Sequence, residues 1–269
     1  MEPNDLRRCR SLLFLPASNP RAVDKARTLN ADMIVLDLED SVKAEDKKAA
    51  RAAACEATRR GYGGRPVAMR VNPTDTPDFG EDVVAVRRSA ADYVILAKAE
   101  TPKQVADAAW LMRRPVLAMI ETPRGVIDAA AIAPVTRGLI AGTNDLSAAL
   151  ALPADCGRQG LVYALQRILL AARAAGVSAF DGVYNRLEAD EGLVAQCAEG
   201  RAYGFDGKSV IHPSQIDTVN RAFTPTPVEV EAAERLIAAA TGGAERHDGR
   251  MIEPMHVEQA RILLAKAQR

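Results

Sequence analysis

At 269 residues the chain can bury a sizeable core, and its length is ordinary for a single (β/α)8 barrel, which typically needs about 250 residues. Its 35 basic residues equal its 35 acidic ones, which argues against a nucleic-acid or anionic-membrane partner while leaving room for a local basic pocket. Aromatics make up only 4%, so the core must be closely packed Leu, Ile, Val and Ala.

The predicted elements alternate between short β-rich runs and longer helical patterns, as βα units on a parallel sheet do. A first strand over 11–15 is followed by a helix over 20–29. The run DMIVLDL at 32–38 is apolar enough for a strand buried on both faces, and an Ala-, Lys- and Glu-rich helix covers 42–60. The third strand spans 66–72, followed by a helix over 78–89, and the fourth strand spans 93–97. Thr101 is the expected N-cap of a helix that begins with Pro102 and runs to 113. Strands at 115–121 and 136–141 flank a helix over 123–133. A helix over 160–175 stops at Gly176. A strand at 177–181, a helix over 187–203 and an eighth strand at 205–210 complete the pattern. After a helical segment at 213–221 comes a Thr-Pro-Thr-Pro hinge (224–227). A helix over 228–240, a Gly-rich turn at Gly242 and Gly243, and a last helix over 254–267 follow. An open doubly wound sheet would share this alternation, but eight strand–helix units, with the motifs at the strand ends, favour an α/β fold of the (β/α)8 TIM-barrel type over 1–223, with extra C-terminal helices over 224–269 forming a lid or inter-subunit segment.

No apolar run reaches the roughly 18 residues of a membrane helix, and the polar N-terminus has no signal-peptide core. Four separated cysteines without CxxC spacing read as free thiols of a reducing compartment, so the cytoplasm is the expected location.

Barrel enzymes build their sites at the C-terminal ends of the strands. Read in order, these ends carry Asp37, Glu39 and Asp40; Arg70 and Asn72; Lys98 and Glu100; Glu121; Asn144 and Asp145; Asp181; and Lys208 with Ser209. Acids and bases are thereby expected at one mouth. Glu121 and Asp145 follow adjacent strands, and two carboxylates completed by water and substrate oxygens suit magnesium, which dehydrates reluctantly. Their other reading is capping or ion pairing. Arg70 has the fork geometry for a carboxylate or a developing oxyanion, and it can also pair with Asp37 or Glu39. Lys25 could meet a phosphate or simply face solvent. Lys98 could bind an anion or pair with a rim acid. His212 is expected to open a helix, and Ser209 lacks the His and Asp partners of a hydrolytic triad.

The stretches Arg10-Ser-Leu-Leu-Phe-Leu-Pro-Ala, Leu36-Asp-Leu-Glu-Asp-Ser-Val, Arg70-Val-Asn, Ile120-Glu-Thr-Pro, Asn144-Asp-Leu, Gly207-Lys-Ser-Val-Ile-His-Pro and Gly249-Arg-Met-Ile-Glu resemble, in order and across nearly the whole chain, the citrate lyase beta-subunit-like family of the HpcH/HpaI aldolase superfamily. That family includes malyl-CoA and citramalyl-CoA lyases. The resemblance implies that Glu121 and Asp145 bind Mg²⁺, that Arg70 contacts keto-acid oxygens, and that Glu39 and Asp40 shape the metal's outer shell. It implies coenzyme A contacts at Phe14 and Lys25. It also implies an acid–base carboxylate donated by a neighbouring subunit, at Glu253, where several relatives have Asp.

The expected activity is magnesium-dependent cleavage of a 3-hydroxy-3-carboxyacyl-CoA (citryl-, malyl- or citramalyl-CoA) to acetyl-CoA and a small 2-oxo acid. The expected assembly is a homo-oligomer, a trimer or hexamer. The alternatives are a pyruvate-type aldolase on free hydroxy-keto acids, a malyl-CoA thioesterase, and a non-catalytic CoA-binding subunit of a larger lyase complex.

Overall fold

The eight apolar runs form strands β1 (Ser11–Pro16), β2 (Met33–Asp37), β3 (Val67–Val71), β4 (Tyr93–Leu96), β5 (Val116–Ile120), β6 (Gly138–Ala141), β7 (Ser178–Asp181) and β8 (Gly207–Val210) in a computed structural model that describes residues 6–247 and 249–267. Each strand pairs in parallel with its neighbours in chain order. β8 returns to β1 with Ser209 opposite Leu12, so the sheet is a closed barrel, as the strand–helix count predicts.

The helices are α1 (Pro20–Lys25), α2 (Lys47–Arg60), α3 (Asp78–Arg88), α4 (Pro102–Met112), α5 (Pro123–Ile132), α6 (Thr143–Ala149), α7 (Val162–Ala174), α8 (Glu191–Tyr203) and α9 (Ile216–Phe223). Thr101 caps α4 by accepting the Gln104 N–H, while the Gln104 side chain reaches back to the Thr101 backbone. Thr122 caps α5 by accepting the Gly125 N–H. Several predicted helices start late. Residues Ala44–Asp46 form a 3-10 turn ahead of α2, and α8 begins only at Glu191 because Asp190 caps it by accepting the Leu193 N–H. α6, a short helix directly after β6, has no counterpart among the predicted elements.

Successive side chains of a strand face opposite ways. The inner row of this barrel runs Leu12 and Phe14 on β1, Met33 and Val35 on β2, Ala68 on β3, Ile95 on β4, Leu117 and Met119 on β5, Ile140 on β6 and Phe180 on β7, all buried in one cluster. With Tyr93, Leu6 and Cys9 they fill the interior, so the barrel is a packed core with its open end at the strand C-termini.

The chain forms two compact units, Met1–Asn220 and Arg221–Arg269. Within the second, α10 (Pro227–Ala239) packs on α11 (Pro254–Ala267), and Thr226 caps α10 in a box with Glu229. A short antiparallel pair, β9 (Glu245–His247) and β10 (Arg250–Ile252), lies between them, beyond the predicted Gly-rich turn. Among the described residues no helix is long and apolar enough to cross a membrane.

Candidate active site

The inner rows continue to the strand ends, and there they change from apolar to charged. Counting by twos, Val35 leads to Asp37, Ala68 to Arg70, and Met119 to Glu121. These side chains and Ser209 of β8 line a cavity of about 430 Å³ at the C-terminal mouth, together with Phe14, Asp40 and Asp145. Asp145 comes from the first turn of α6. α6 is held close to β5 by Gly142, because a Cβ there would stand 2.5 Å from Glu121 Oε2.

Arg70 is locked in place. Its Nε and Nη2 each donate to one Asp37 oxygen at 2.6 Å, a bidentate fork. Its Nη1 lies 2.9 Å from Glu39 Oε2 and also reaches Met119 Sδ at 3.7 Å, and its Cζ stands 5.5 Å from the centre of the Phe14 ring. Burial works against the charge of both partners. Even so, Arg70 holds the Asp37 carboxyl below its ordinary range, and Asp37, with help from Glu39 and Glu121, holds Arg70 more firmly protonated. The two readings of Arg70 therefore coexist. Both acids are ion-paired to it, and its guanidinium still borders the cavity.

Glu121 has the opposite balance. Burial first, then the charges of Glu39 and Asp145, push its carboxyl up to about 8, although the Lys98 N–H donates to Oε1 at 2.7 Å and Arg70 lies near. Glu39 is also raised, first by burial and then, against the pull of Arg70, by Asp40 and Asp37. Lys98 bridges the group, with its Nζ 3.4 Å from Glu39 Oε1 and 3.6 Å from Asp145 Oδ1. Five carboxyl groups, Asp37, Glu39, Asp40, Glu121 and Asp145, thus gather at the mouth, and among the described residues Arg70 and Lys98 are the cations paired with them. Buried charge of one sign needs a counter-charge.

Two further observations suit a small cation or polar ligand here. Glu39 Oε2, close to Arg70 but misaligned, and Ser209 Oγ, on the cavity wall, are buried polar atoms without a hydrogen-bond partner among the described residues. No three His, Cys, Asp or Glu side chains among the described residues are grouped to hold a metal by themselves. An all-protein cage such as zinc prefers is thus not present among them. Two carboxylates that leave the remaining positions to water and substrate match the habit of magnesium. The residues present therefore fit that ion.

The predicted site residues separate into groups. Phe14, Asp40, Arg70, Glu121 and Asp145 line the cavity, and Glu39 stands behind it as a buried partner of Arg70 and Lys98. Lys25 ends α1 as an exposed side chain that does not line the cavity. Glu253 belongs to the second unit, half-buried, with its backbone N–H donated to His256 Nδ1 at 2.9 Å. His212 does open a helical turn, accepting the Ser214 N–H.

The expected convergence of every strand-end charge on the mouth needs correction. Asp181 and Lys208 follow inward-facing Phe180 and precede inward-facing Ser209, so both point outward, between the sheet and the helices. There Lys208 Nζ donates to Asp181 Oδ2 at 3.0 Å, Arg158 adds a bidentate pair at 2.7 and 2.9 Å, and Gly200 of α8 leaves the space. This buried triad ties β7, β8 and the α6–α7 connection together. Sequence reasoning left Lys98 undecided, and its bridging of two acids was the feature missed. The only sequence signal was its place just after β4.

Known proteins resemble this chain along most of its length. The model of the HpcH/HpaI aldolase/citrate lyase family matches residues 10–213. A (3S)-malyl-CoA thioesterase from Cereibacter sphaeroides is 41% identical, over 96% of this chain and 94% of its own length. The citrate lyase subunit beta of Leuconostoc mesenteroides is 34% identical, over 91% of this chain and 87% of its own. The crystal structure of protein CitE from Mycobacterium tuberculosis, in complex with magnesium, acetoacetate and coenzyme A, superposes with a TM-score of 0.84 at 35% identity, covering 98% of this chain and all of that one.

Proposed function

The chain belongs to the HpcH/HpaI aldolase/citrate lyase family, and from that premise we propose that it is a magnesium-dependent lyase cleaving a 3-hydroxy-3-carboxyacyl-CoA, of the malyl-CoA type, to acetyl-CoA and a 2-oxo acid. The observation that carries this reading is the crowding of carboxyl groups around Glu121, in the lining of a cavity that also presents a locked arginine. Glu121 and Asp145 would hold the ion. Bound there, magnesium supplies Lewis acidity toward the carboxylate and hydroxyl oxygens of the substrate.

Arg70 receives the substrate carboxylate. Its orientation is fixed by Asp37 before substrate arrives, so little ordering remains to be done on binding. Phe14 offers an apolar wall beside it. Asp40, the exposed carboxylate of the cavity, takes the hydroxyl proton. The carbon–carbon bond then breaks, the hydroxyl carbon becomes the carbonyl of the 2-oxo acid, and the electron pair passes to the thioester as an enolate. Glu253 of a second copy of the chain returns a proton to the enolate carbon, giving acetyl-CoA. That last role rests on the family resemblance, as does the contact of Lys25 with coenzyme A. A donated carboxylate requires a homo-oligomer, with residues 224–269 as lid or inter-subunit segment. The free cysteines favour a reducing compartment, the cytoplasm.

One observation favours a second reading, hydrolysis of the same substrate to malate and coenzyme A. Identity to the Cereibacter sphaeroides thioesterase, at 41%, exceeds the 34% to the Leuconostoc mesenteroides citrate lyase subunit. The nucleophile would then be water, since Ser209 Oγ has no hydrogen-bond partner among the described residues to activate it.

Incubating the purified chain with malyl-CoA and magnesium separates the two readings. A lyase releases glyoxylate and acetyl-CoA in equal amounts, whereas malate with free coenzyme A marks the thioesterase. Absence of both products, with and without magnesium, on malyl-, citramalyl- and citryl-CoA alike would refute both.

A further inference from the structure

Lys98 has an unusual backbone for a long side chain. Its φ of 48° lies in the left-handed region, which residues with a Cβ rarely enter. The turn lets one residue touch both carboxylates assigned to the metal. The backbone N–H donates to Glu121 Oε1 at 2.7 Å, and the ammonium approaches Asp145 Oδ1 at 3.6 Å and Glu39 Oε1 at 3.4 Å.

The two cations of the site are held differently. Arg70 makes two 2.6 Å hydrogen bonds to Asp37, and its side chain is 13% exposed. The Lys98 side chain is 36% exposed, and both of its contacts are longer than a good hydrogen bond. Arg70 is fixed, whereas Lys98 can be displaced. An ammonium is a compact charge on a flexible stem, suited to leaving.

We propose that Lys98 is a built-in counter-ion of the metal-free site, its ammonium holding Asp145 and Glu39 in place until a divalent ion enters and takes Asp145 from it. Lys98 is then a positioning residue and also a competitor for the metal's ligand. The backbone half of the residue orients Glu121 in either state, so the two halves can be tested separately. The proposal rests on the reading that Glu121 and Asp145 hold magnesium.

The test is magnesium affinity of the full chain by titration calorimetry. Lys98→Met removes the charge. Lys98→Gly removes it too, but keeps the N–H donor and accepts a positive φ without strain. Both should bind magnesium about tenfold more tightly than wild type, the scale of two partly exposed ion pairs removed from competition. Lys98→Arg, which keeps a cation, should not tighten. The metal-free Lys98→Met protein should melt below metal-free wild type, and saturating magnesium should close that gap. A lysine of purely structural importance would lower both melting temperatures alike and leave affinity unchanged. If wild type binds magnesium and neither neutral variant binds it more tightly, the counter-ion role is overturned while the functional reading stands. If wild type binds no magnesium, the functional reading falls and this assignment falls with it.

Discussion

Gly142→Ala probes the site where it is tightest. The new methyl would stand 2.5 Å from Glu121 Oε2 and closer still to Glu121 Cβ. Non-bonded heavy atoms settle at about 3.5 Å, so the overlap is roughly 1 Å. A change of rotamer relieves the oxygen but not the Cβ, whose position follows from the backbone of β5. Since Ile120 pairs with Ala141, either the β5–β6 pairing opens or α6 shifts and carries Asp145 with it. Overpacking of this kind costs about 1–3 kcal/mol of stability. A displacement of about 1 Å between catalytic groups costs ~10²-fold in rate, or about 2.7 kcal/mol at roughly 1.36 kcal/mol per tenfold. Urea unfolding, kcat/KM on malyl-CoA and magnesium calorimetry should therefore all move together. A Gly142→Ala protein that folds and keeps wild-type turnover and magnesium affinity would refute the idea that Glu121 and Asp145 form one unit.

Two further perturbations test the electrostatics. Glu121 holds its proton to about pH 8 in the folded chain, against an ordinary value of 4.5, so its contribution to stability is fully present below the unfolded value and is lost as pH rises through about 8. The metal-free melting temperature should accordingly fall across that window, with magnesium or Glu121→Gln flattening the slope; an unchanged slope in Glu121→Gln would assign it to another group. Asp37→Asn should cost about 3 kcal/mol in urea unfolding, because a buried guanidinium loses its charged fork partner, and should raise KM for the thioester substrate. An unaltered KM in a folded Asp37→Asn enzyme would remove Arg70 from substrate binding.

Much of the site could be read from period-two spacing alone. Once a strand is recognised, alternation sets which residues face inward, and Asp37, Arg70 and Glu121 each stand two positions beyond an apolar inner residue. Applied to β7 and β8, the same rule would have sent Asp181 and Lys208 outward. Their mistaken place at the mouth came from treating every strand-end charge alike. α6 escaped notice because a helix of seven residues has little stability of its own and is held by packing against the barrel.

The sequence by itself determined the number and order of the strands, the closed parallel topology that eight such units favour, and the inward rows that end in charge. These are local properties, set by side-chain alternation and by the residues that start and stop each element. Only the tertiary structure decided that Arg70 is locked by Asp37, that Lys98 bridges Glu39 and Asp145, and that Glu121 is buried beside two further carboxyl groups, Glu39 and Asp145. Those outcomes depend on barrel closure, which brings distant strand ends within a few ångströms of each other and removes the water that would otherwise separate their charges.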